Sequence, residues 1–250
     1  MKAYSITDIG QTRHMNQDYV YCEETNVGSL PNLFIVADGM GGHNAGDYAS
    51  RFCVEAFVQR IKKEHELNKA NDAIYGKTPI GIISDALQHA NHLLIEEASS
   101  KEELQGMGTT FVVASIYDAF MYVANVGDSR LYVIKDNMEQ ITSDHSLIQE
   151  MVRNGELDPE EAKNNPNKNI ITRAIGANAK VVPDYFEIEL QKGDLILMCS
   201  DGLTNMLEDE EILSIVKGSS GDLFAAVKNL VEAANANGGK DNISIIIIES

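Results

Sequence analysis

The chain has 250 residues, a formal net charge of −18 at pH 7 and three cysteines. A protein this acidic is not expected to bind bulk nucleic acid or an anionic membrane surface. An odd number of cysteines without a C-x-x-C pair argues against a disulfide framework and a zinc ribbon. The chain has no apolar run long enough to span a bilayer and no apolar leader in MKAYSITDIG. We therefore expect a cytoplasmic protein with reduced cysteines.

Short apolar runs predict β-strands, because they are rich in β-branched residues and end at Gly, Asp or Asn. The runs are residues 33–37, 111–117, 120–126, 130–134, 195–199 and 243–248. Three apolar stripes at helical spacing lie between them, from Ala49 to Ile61, from Ile83 to Leu94 and from Leu223 to Ala234. Strands and helices do not alternate in this order, which favours an α+β fold with sheets covered by helices.

The segment 144–172 differs in composition from the rest of the chain. It contains Asn154-Gly155, Pro159 and the stretch NNPNKN at 164–169, with few large apolar residues. Such a composition is typical of a surface excursion with short helices. We predict one domain, residues 1–250, with this segment as a flap at about 144–172.

Five aspartates occupy special places relative to the predicted strands. Asp38 and Asp201 follow strands, Asp128 comes two residues after one, Asp241 stands two residues before another, and Asp18 follows the polar stretch RHMNQ. Each Asp-Gly or Gly-Asp pair is by itself an ordinary turn signal. Strand ends share one rim of a sandwich, however, and carboxylates gathered there repel unless they are protonated or bridged by metal. A ligand set made only of oxygen atoms favours Mg²⁺ or Mn²⁺ over zinc.

Eight segments in matching order resemble the bacterial form of the protein phosphatase 2C family. They are RHMNQD (13–18), ADGMGGHNAG (37–46), GMGTT (106–110), NVGDSR (125–130), TSDHS (142–146), ITRAIG (171–176), CSDGL (199–203) and KDNIS (240–244). The resemblance implies two packed antiparallel β-sheets flanked by helices, an αββα sandwich. It also implies hydrolysis of phosphoserine and phosphothreonine in proteins.

The same resemblance implies two tightly bound Mg²⁺ or Mn²⁺ ions with a bridging water that attacks the phosphorus atom. Asp38 would bridge both ions, and the backbone carbonyl of Gly39 would ligate one of them. Asp201 and Asp241 would complete the shell of the other ion. Asp18 would hold metal-bound water. Asp38, Asp201 and Asp241 would thus be catalytic through the water that the ions hold.

Two further residues match functional positions of the family. Arg13 matches its phosphate-binding arginine, whose planar guanidinium can donate to two phosphate oxygens. Asp128 matches the acid that, with Asp201, binds a third and weaker ion in bacterial members. Both assignments are implied by the resemblance alone.

The sequence leaves two candidates for the general acid that protonates the leaving alkoxide. Met40 stands where many eukaryotic members have a histidine, and a thioether cannot protonate a leaving alkoxide. A metal-bound water is the first candidate and His43 the second. Asn242 is expected to support the orientation of Asp241, and His145 to order the base of the flap.

The family implies phosphorylated proteins as substrates, a cognate bacterial Ser/Thr kinase whose action the enzyme opposes, and a monomer. Two alternatives keep the fold. One is a phosphatase of an anti-sigma-factor antagonist, although such enzymes usually carry sensory domains for which this chain has no room. The other is a catalytically weak scaffold that binds phosphoproteins, which fits poorly with a complete set of metal-binding acids.

Overall fold

The computed structural model describes residues 1–42, 45–70, 77–158, 161–162 and 165–250. The strands are β1 (Lys2–Asp8), β2 (Asp18–Glu23), β3 (Leu33–Met40), β4 (Gly108–Thr109), β5 (Phe111–Tyr117), β6 (Phe120–Val126), β7 (Arg130–Ile134), β8 (Met138–Gln140), β9 (Asp184–Glu189), β10 (Leu195–Cys199) and β11 (Ile243–Glu249). The helices are α1 (Ala45–Ala70), α2 (Pro79–Ser100), α3 (Leu147–Arg153), α4 (Asp201–Thr204), α5 (Asp209–Gly218) and α6 (Leu223–Ala236), with a 3₁₀ turn at Glu102–Leu104.

The strands form two antiparallel sheets. One has the order β1-β11-β10-β7-β8, and the other has the order β2-β3-β5-β6-β9 with the short β4 paired to β3. All of these neighbouring strands run antiparallel. The predicted α+β fold with two antiparallel sheets and flanking helices is confirmed.

Alternating residues of one strand face two different cores. In β3, Phe34 and Val36 pack between the two sheets, whereas Leu33, Ile35 and Ala37 pack against α1 and α2. Strand β11 divides in the same way between the inter-sheet core and the core beneath α5 and α6. Because both faces are buried, these strands read as continuous apolar runs rather than as alternating patterns.

The sequence analysis missed the half-exposed strands and the very short strands. Strands β1, β2 and β9 mix apolar with charged residues, and β8 and β4 are only three and two residues long. A second late helix, α5, precedes α6 and was also missed. Apolar runs reveal buried strands and say little about the edges of a sheet, where one face is exposed to water.

Strand β3 is longer than its apolar run predicts, and the additional residues include Asp38. The apolar run predicted β3 to end at residue 37, but the strand continues to Met40 and includes Asp38. The extension is held by Thr110, whose N–H donates to the Asp38 carbonyl (2.8 Å) and whose Oγ1 accepts from the Asp38 N–H (2.9 Å). Asp38 is therefore fixed by strand hydrogen bonds rather than carried on a turn.

The remaining features concern membranes and thiols. Among the helices in the described ranges, none is both long enough and apolar enough to cross a bilayer.

All three cysteines are free thiols, with Cys53 and Cys199 buried and Cys22 partly exposed. Burial raises the pKa of the Cys53 and Cys199 thiols, so neither is an activated nucleophile.

Candidate metal centre

The structure brings all five predicted acids to one site. Asp18 begins β2 and pairs in register with Asp38 on β3. Asp128 lies in the turn between β6 and β7, Asp201 begins α4 directly after β10, and Asp241 precedes β11 by two residues. The Asp38 carboxyl lies within the electrostatic range of the other four. Residues far apart in the chain thus share one cluster.

Burial and the charges of neighbouring acids raise the pKa values of four of these carboxyl groups. Burial, and then the charges of the other four, hold the pKa of Asp38 well above its usual range. Burial raises the pKa of Asp18 to about 7, against hydrogen bonds from Ser200 and Ser244 that lower it. The pKa of Asp128 rises to about 7 and that of Asp201 to about 6, again chiefly through burial. The cluster therefore favours any species that supplies positive charge.

Hydrogen bonds beneath Asp38 fix its backbone from two sides. The Thr109 hydroxyl donates to the Asp38 carbonyl (2.9 Å), in addition to the two bonds from Thr110. The Thr110 hydroxyl is also within 2.8 Å of the Ser129 hydroxyl, next to Asp128. The strand that carries Asp38 and the turn that carries Asp128 are thereby joined by a pair of buried hydroxyls.

Gly39 cannot carry a side chain in this fold. A Cβ atom added there would lie 2.0 Å from the carbonyl oxygen of Gly46 and 2.6 Å from that of Gln17. The glycine thus permits close approach of three backbone segments beside Asp38. Met40, which follows, pairs with Gly108 across β4. His43 lies outside the described residues.

His145 connects the turn of Asp128 to the base of the flap. The ring Nδ1 accepts from the Gly127 N–H (3.1 Å), and the His145 N–H donates to the Gly127 carbonyl (3.0 Å). The Thr172 N–H donates to the His145 carbonyl (2.7 Å), and Nε2 lies 3.1 Å from Asp184 Oδ2. Because a backbone N–H can only donate, Nδ1 is the acceptor. Burial also lowers the pKa of His145, which favours this neutral ring.

Arg13 lies at the mouth of the cluster. Its Nη2 donates to Asp241 Oδ2 at 2.7 Å, and its side chain is 49% exposed. Beside the cluster, a cleft of about 390 Å³ is lined by Asp128 and Asp201 and by Gln149 and Lys168 of the flap. The site therefore combines buried acids, an accessible arginine and an open cleft.

Comparison with known proteins identifies the family. Residues 4–243 match the family described as protein phosphatase 2C. The chain belongs to the protein phosphatase 2C family. It is 39% identical to the serine/threonine phosphatase stp of Listeria innocua over 255 residues, covering 100% of this chain and 96% of that protein. The crystal structure of the serine/threonine phosphatase Stp1 from Staphylococcus aureus is 34% identical, with a TM-score of 0.87 over 100% of this chain and 94% of that one. The prediction of a protein serine/threonine phosphatase of this family is confirmed.

Protein phosphatase 2C enzymes depend on divalent metal ions. A solved catalytic domain of the phosphatase PstP, in complex with two manganese ions, is 29% identical with a TM-score of 0.81, covering 99% of this chain and 97% of that one.

The residues present fit such ions. Asp18 Oδ1 and Asp201 Oδ1 are buried and have no hydrogen-bond partner within the described chain, and buried carboxylate oxygens are expected to have one. Oxygen atoms are the donors that Mg²⁺ and Mn²⁺ prefer. In the described ranges no three such side chains already enclose a position for an ion. Asp18 Oδ2 accepts from the Ser200 hydroxyl and Asp241 Oδ2 from Arg13, which hold these two carboxylates beside the unpartnered oxygens.

The sequence located the acids but missed the residues that support them. Thr110 and Ser200 lie within the family motifs GMGTT and CSDGL. Those motifs did not show that the Thr110 hydroxyl binds Asp38 and the Ser200 hydroxyl binds Asp18. The bidentate pair of Arg130 with Asp144 (2.7–3.1 Å) was also missed. Of these residues only Ser200 stands next to one of the acids in the sequence, so only its contact left a local signal.

Proposed function

We propose that this phosphatase hydrolyses phosphoserine and phosphothreonine in proteins, with Mg²⁺ or Mn²⁺ held by Asp18, Asp38, Gly39, Asp201 and Asp241. The observation that carries the proposal is the convergence of five carboxylates in a fold of this family, where burial and neighbouring charges raise the pKa values of Asp18, Asp38, Asp128 and Asp201. Ser/Thr kinases make the phosphoproteins that such an enzyme consumes, so its physiological role is to oppose a bacterial kinase of that class.

The residues have separate tasks in this proposal. Divalent ions at such a centre supply Lewis acidity and lower the pKa of water. Asp38 lies within range of the other four acids and would place its carboxylate between the ions. Thr110 fixes the backbone of Asp38 in that position. Arg13 grips non-bridging phosphate oxygens from the mouth, because its exposed guanidinium keeps donors that Asp241 does not use.

The cleft supports a role for the flap in choosing substrates. We take residues 1–250 as one phosphatase domain in which the described part of segment 144–172 forms a wall of the cleft beside Asp128 and Asp201. A peptide whose phosphorylated residue reaches the acids would place its neighbouring residues along this wall. Lys168 and Gln149 are among the polar groups that it would meet there.

An assay on matched phosphopeptides tests the proposed function. Peptides carrying phosphoserine or phosphothreonine should be hydrolysed in Mn²⁺ or Mg²⁺, and EDTA should abolish turnover. Substantial activity in EDTA would overturn the metal-dependent mechanism. Turnover of p-nitrophenyl phosphate without any turnover of the phosphopeptides would overturn the protein substrate.

Arg13→Ala is expected to raise KM clearly, and to lower kcat if the grip tightens in the transition state. A hydrogen bond to a charged group contributes about 1.5–3 kcal/mol, which corresponds to about 10–100-fold in kcat/KM. Arg13→Lys should recover part of the loss, since lysine restores the charge without the planar fork. Mn²⁺ affinity, measured by calorimetry, should not fall, because arginine is not a ligand. A kcat/KM within about twofold of the parent, under 0.5 kcal/mol, would make Arg13 a surface residue.

Asp128→Asn is expected to lower the affinity for a third ion while leaving the binding of the two inner ions unchanged. Its carboxylate is assigned only to the weaker site, together with Asp201, so activity should fall most visibly on phosphopeptides. Calorimetric titration with Mn²⁺ should lose its weakest phase, and the control Asp118→Asn, on the β5–β6 turn, should keep it. Three ions in a crystal of the Asp128→Asn protein grown in Mn²⁺ would contradict the assignment.

A further inference from the structure

The Arg13 loop, residues 9–17, connects β1 to β2 and carries the proposed phosphate-binding residue near its middle. The residues around Arg13 are exposed. The loop has no regular secondary structure, so its shape depends on hydrogen bonds to other parts of the chain. What holds the loop therefore decides where the Arg13 guanidinium points.

A single amide binds both ends of this loop. Asn242 Oδ1 accepts from the Gln17 N–H at 2.8 Å, and its Nδ2 donates to the carbonyls of Ile9 and Met15, both at 3.0 Å. Both amide hydrogens are thus used. The asparagine is only 4% exposed, so these bonds are largely shielded from water.

The middle of the loop is held by a neighbouring turn. The Gln11 N–H donates to the Gly239 carbonyl (2.7 Å), and the Thr12 hydroxyl donates to the Lys240 carbonyl (2.8 Å). Gly10, with φ near +79°, lies so close that a Cβ atom would be 2.2 Å from the Asp241 carbonyl oxygen. The loop therefore lies directly on residues 239–242, and Arg13 follows the last of these anchors by one residue.

The side chain of Asn242 acts on the loop and not on Asp241. Its recorded hydrogen bonds go to Ile9, Met15 and Gln17. Only the backbone N–H of Asn242 reaches Asp241 Oδ1 (2.9 Å), and any residue except proline could provide that bond. Orientation of Asp241, the role expected from the sequence, does not require an asparagine here, whereas three bonds to the Arg13 loop do.

We propose that Asn242 is the positioning residue for Arg13, so that its side-chain amide sets the affinity of the enzyme for the phosphoryl group. The inference rests on the proposed phosphate-binding role of Arg13. With the amide present, the guanidinium is ordered before substrate arrives. Without it, substrate binding has to order the loop, and that cost weakens binding.

A double-mutant cycle separates positioning from a general effect on the fold. Asn242→Ala should raise KM for p-nitrophenyl phosphate about tenfold, on the scale of one lost charge-assisted contact. In the Arg13→Ala background the same change should add almost nothing, because the group it positions is already gone. Calorimetric Mn²⁺ affinity should be unchanged in Asn242→Ala, since the acids keep their places.

Asn32→Ala is the matched control. Asn32 is also buried and exchanges two hydrogen bonds with the backbone of Ile116 (both 2.7 Å). It stands directly before the first residue of β3, at the end of the strand away from Asp38. It should lower the melting temperature without raising KM. If Asn242→Ala fails to fold, Thr12→Val removes one exposed anchor of the loop and should show a smaller KM increase with the same dependence on Arg13.

The outcomes distinguish two failures. An effect of Asn242→Ala that is additive with Arg13→Ala, or a KM equal to that of the parent, would overturn this inference alone. If Arg13→Ala itself leaves kcat/KM unchanged, the phosphate-binding role of Arg13 fails and the inference fails with it. A KM increase in Asn32→Ala equal to that in Asn242→Ala would show a general loss of stability and overturn the inference as well.

Discussion

Asp38→Asn is expected to reduce kcat/KM by a factor on the order of 10³ or more, since several kcal/mol of transition-state stabilisation come from the ions in such a centre. Asp38 is proposed to bridge both ions, and the neutral amide cannot replace its charge. The strand should stay in place, because Thr109 and Thr110 bind the backbone of Asp38 rather than its side chain. Asp241→Ala should have a similar effect.

Steady-state kinetics on a phosphothreonine peptide and calorimetric titration with Mn²⁺ test this expectation together. The matched control is Asp118→Asn, on an exposed turn with φ near +53°, a conformation that asparagine tolerates. The control should retain both activity and metal affinity. An Asp38→Asn enzyme within about tenfold of the parent, or about 1.4 kcal/mol, would remove Asp38 from the metal-bridging role.

The metal-free protein is expected to lose stability as the pH rises from about 4 to about 7, and added Mn²⁺ should reverse the loss. The folded-state pKa values of Asp18 and Asp128, about 7, and of Asp201, about 6, lie above the unfolded value near 3.9. Folding therefore favours the protonated acids. Their contribution is fully present below the unfolded pKa and is lost as the pH passes the folded pKa.

Thermal unfolding in EDTA measures this effect. His145 acts in the opposite direction, because its lowered pKa favours the fold as the pH rises toward the unfolded value near 6.5. Between about pH 6.5 and pH 7.5 the acids alone still set the slope, and the melting temperature should fall by about 3–5 °C, the equivalent of about 1–2 kcal/mol. Asp38→Asn should flatten this dependence, because it removes a carboxyl group whose folded-state pKa lies well above its usual range. A melting temperature in EDTA that is constant or rises over this range would contradict the raised pKa values of the buried acids.

The buried architecture was accessible from the sequence because it follows from local composition. Strands β3, β5, β6, β7, β10 and β11 have both faces covered, so each appears as an apolar run. The half-exposed β1, β2 and β9 carry no such signal. The last three residues of β3 were missed because the apolar run stops before Asp38, and their pairing comes from Asp18 of β2, from β4 and from Thr110.

The acids of the site were also accessible from the sequence, for a different reason. Carboxylates at strand ends are unusual as a group, and the order of the motifs around them matched one family along nearly the whole chain. Proximity in space, however, could only be expected. The pKa values of Asp18 and Asp38 rise because strands β2 and β3 place them opposite each other in register, and that pairing is a property of the sheet.

The sequence by itself determined the family, the sandwich of two sheets and the identity of the five clustered acids, because residue type and local order carry that information. The tertiary structure decided which partner each polar group takes. Asn242 binds the Arg13 loop, more than 220 residues earlier in the chain, and His145 binds the Gly127 turn. Such contacts depend on how buried segments approach one another, and a buried polar group accepts whichever partner the fold brings within reach.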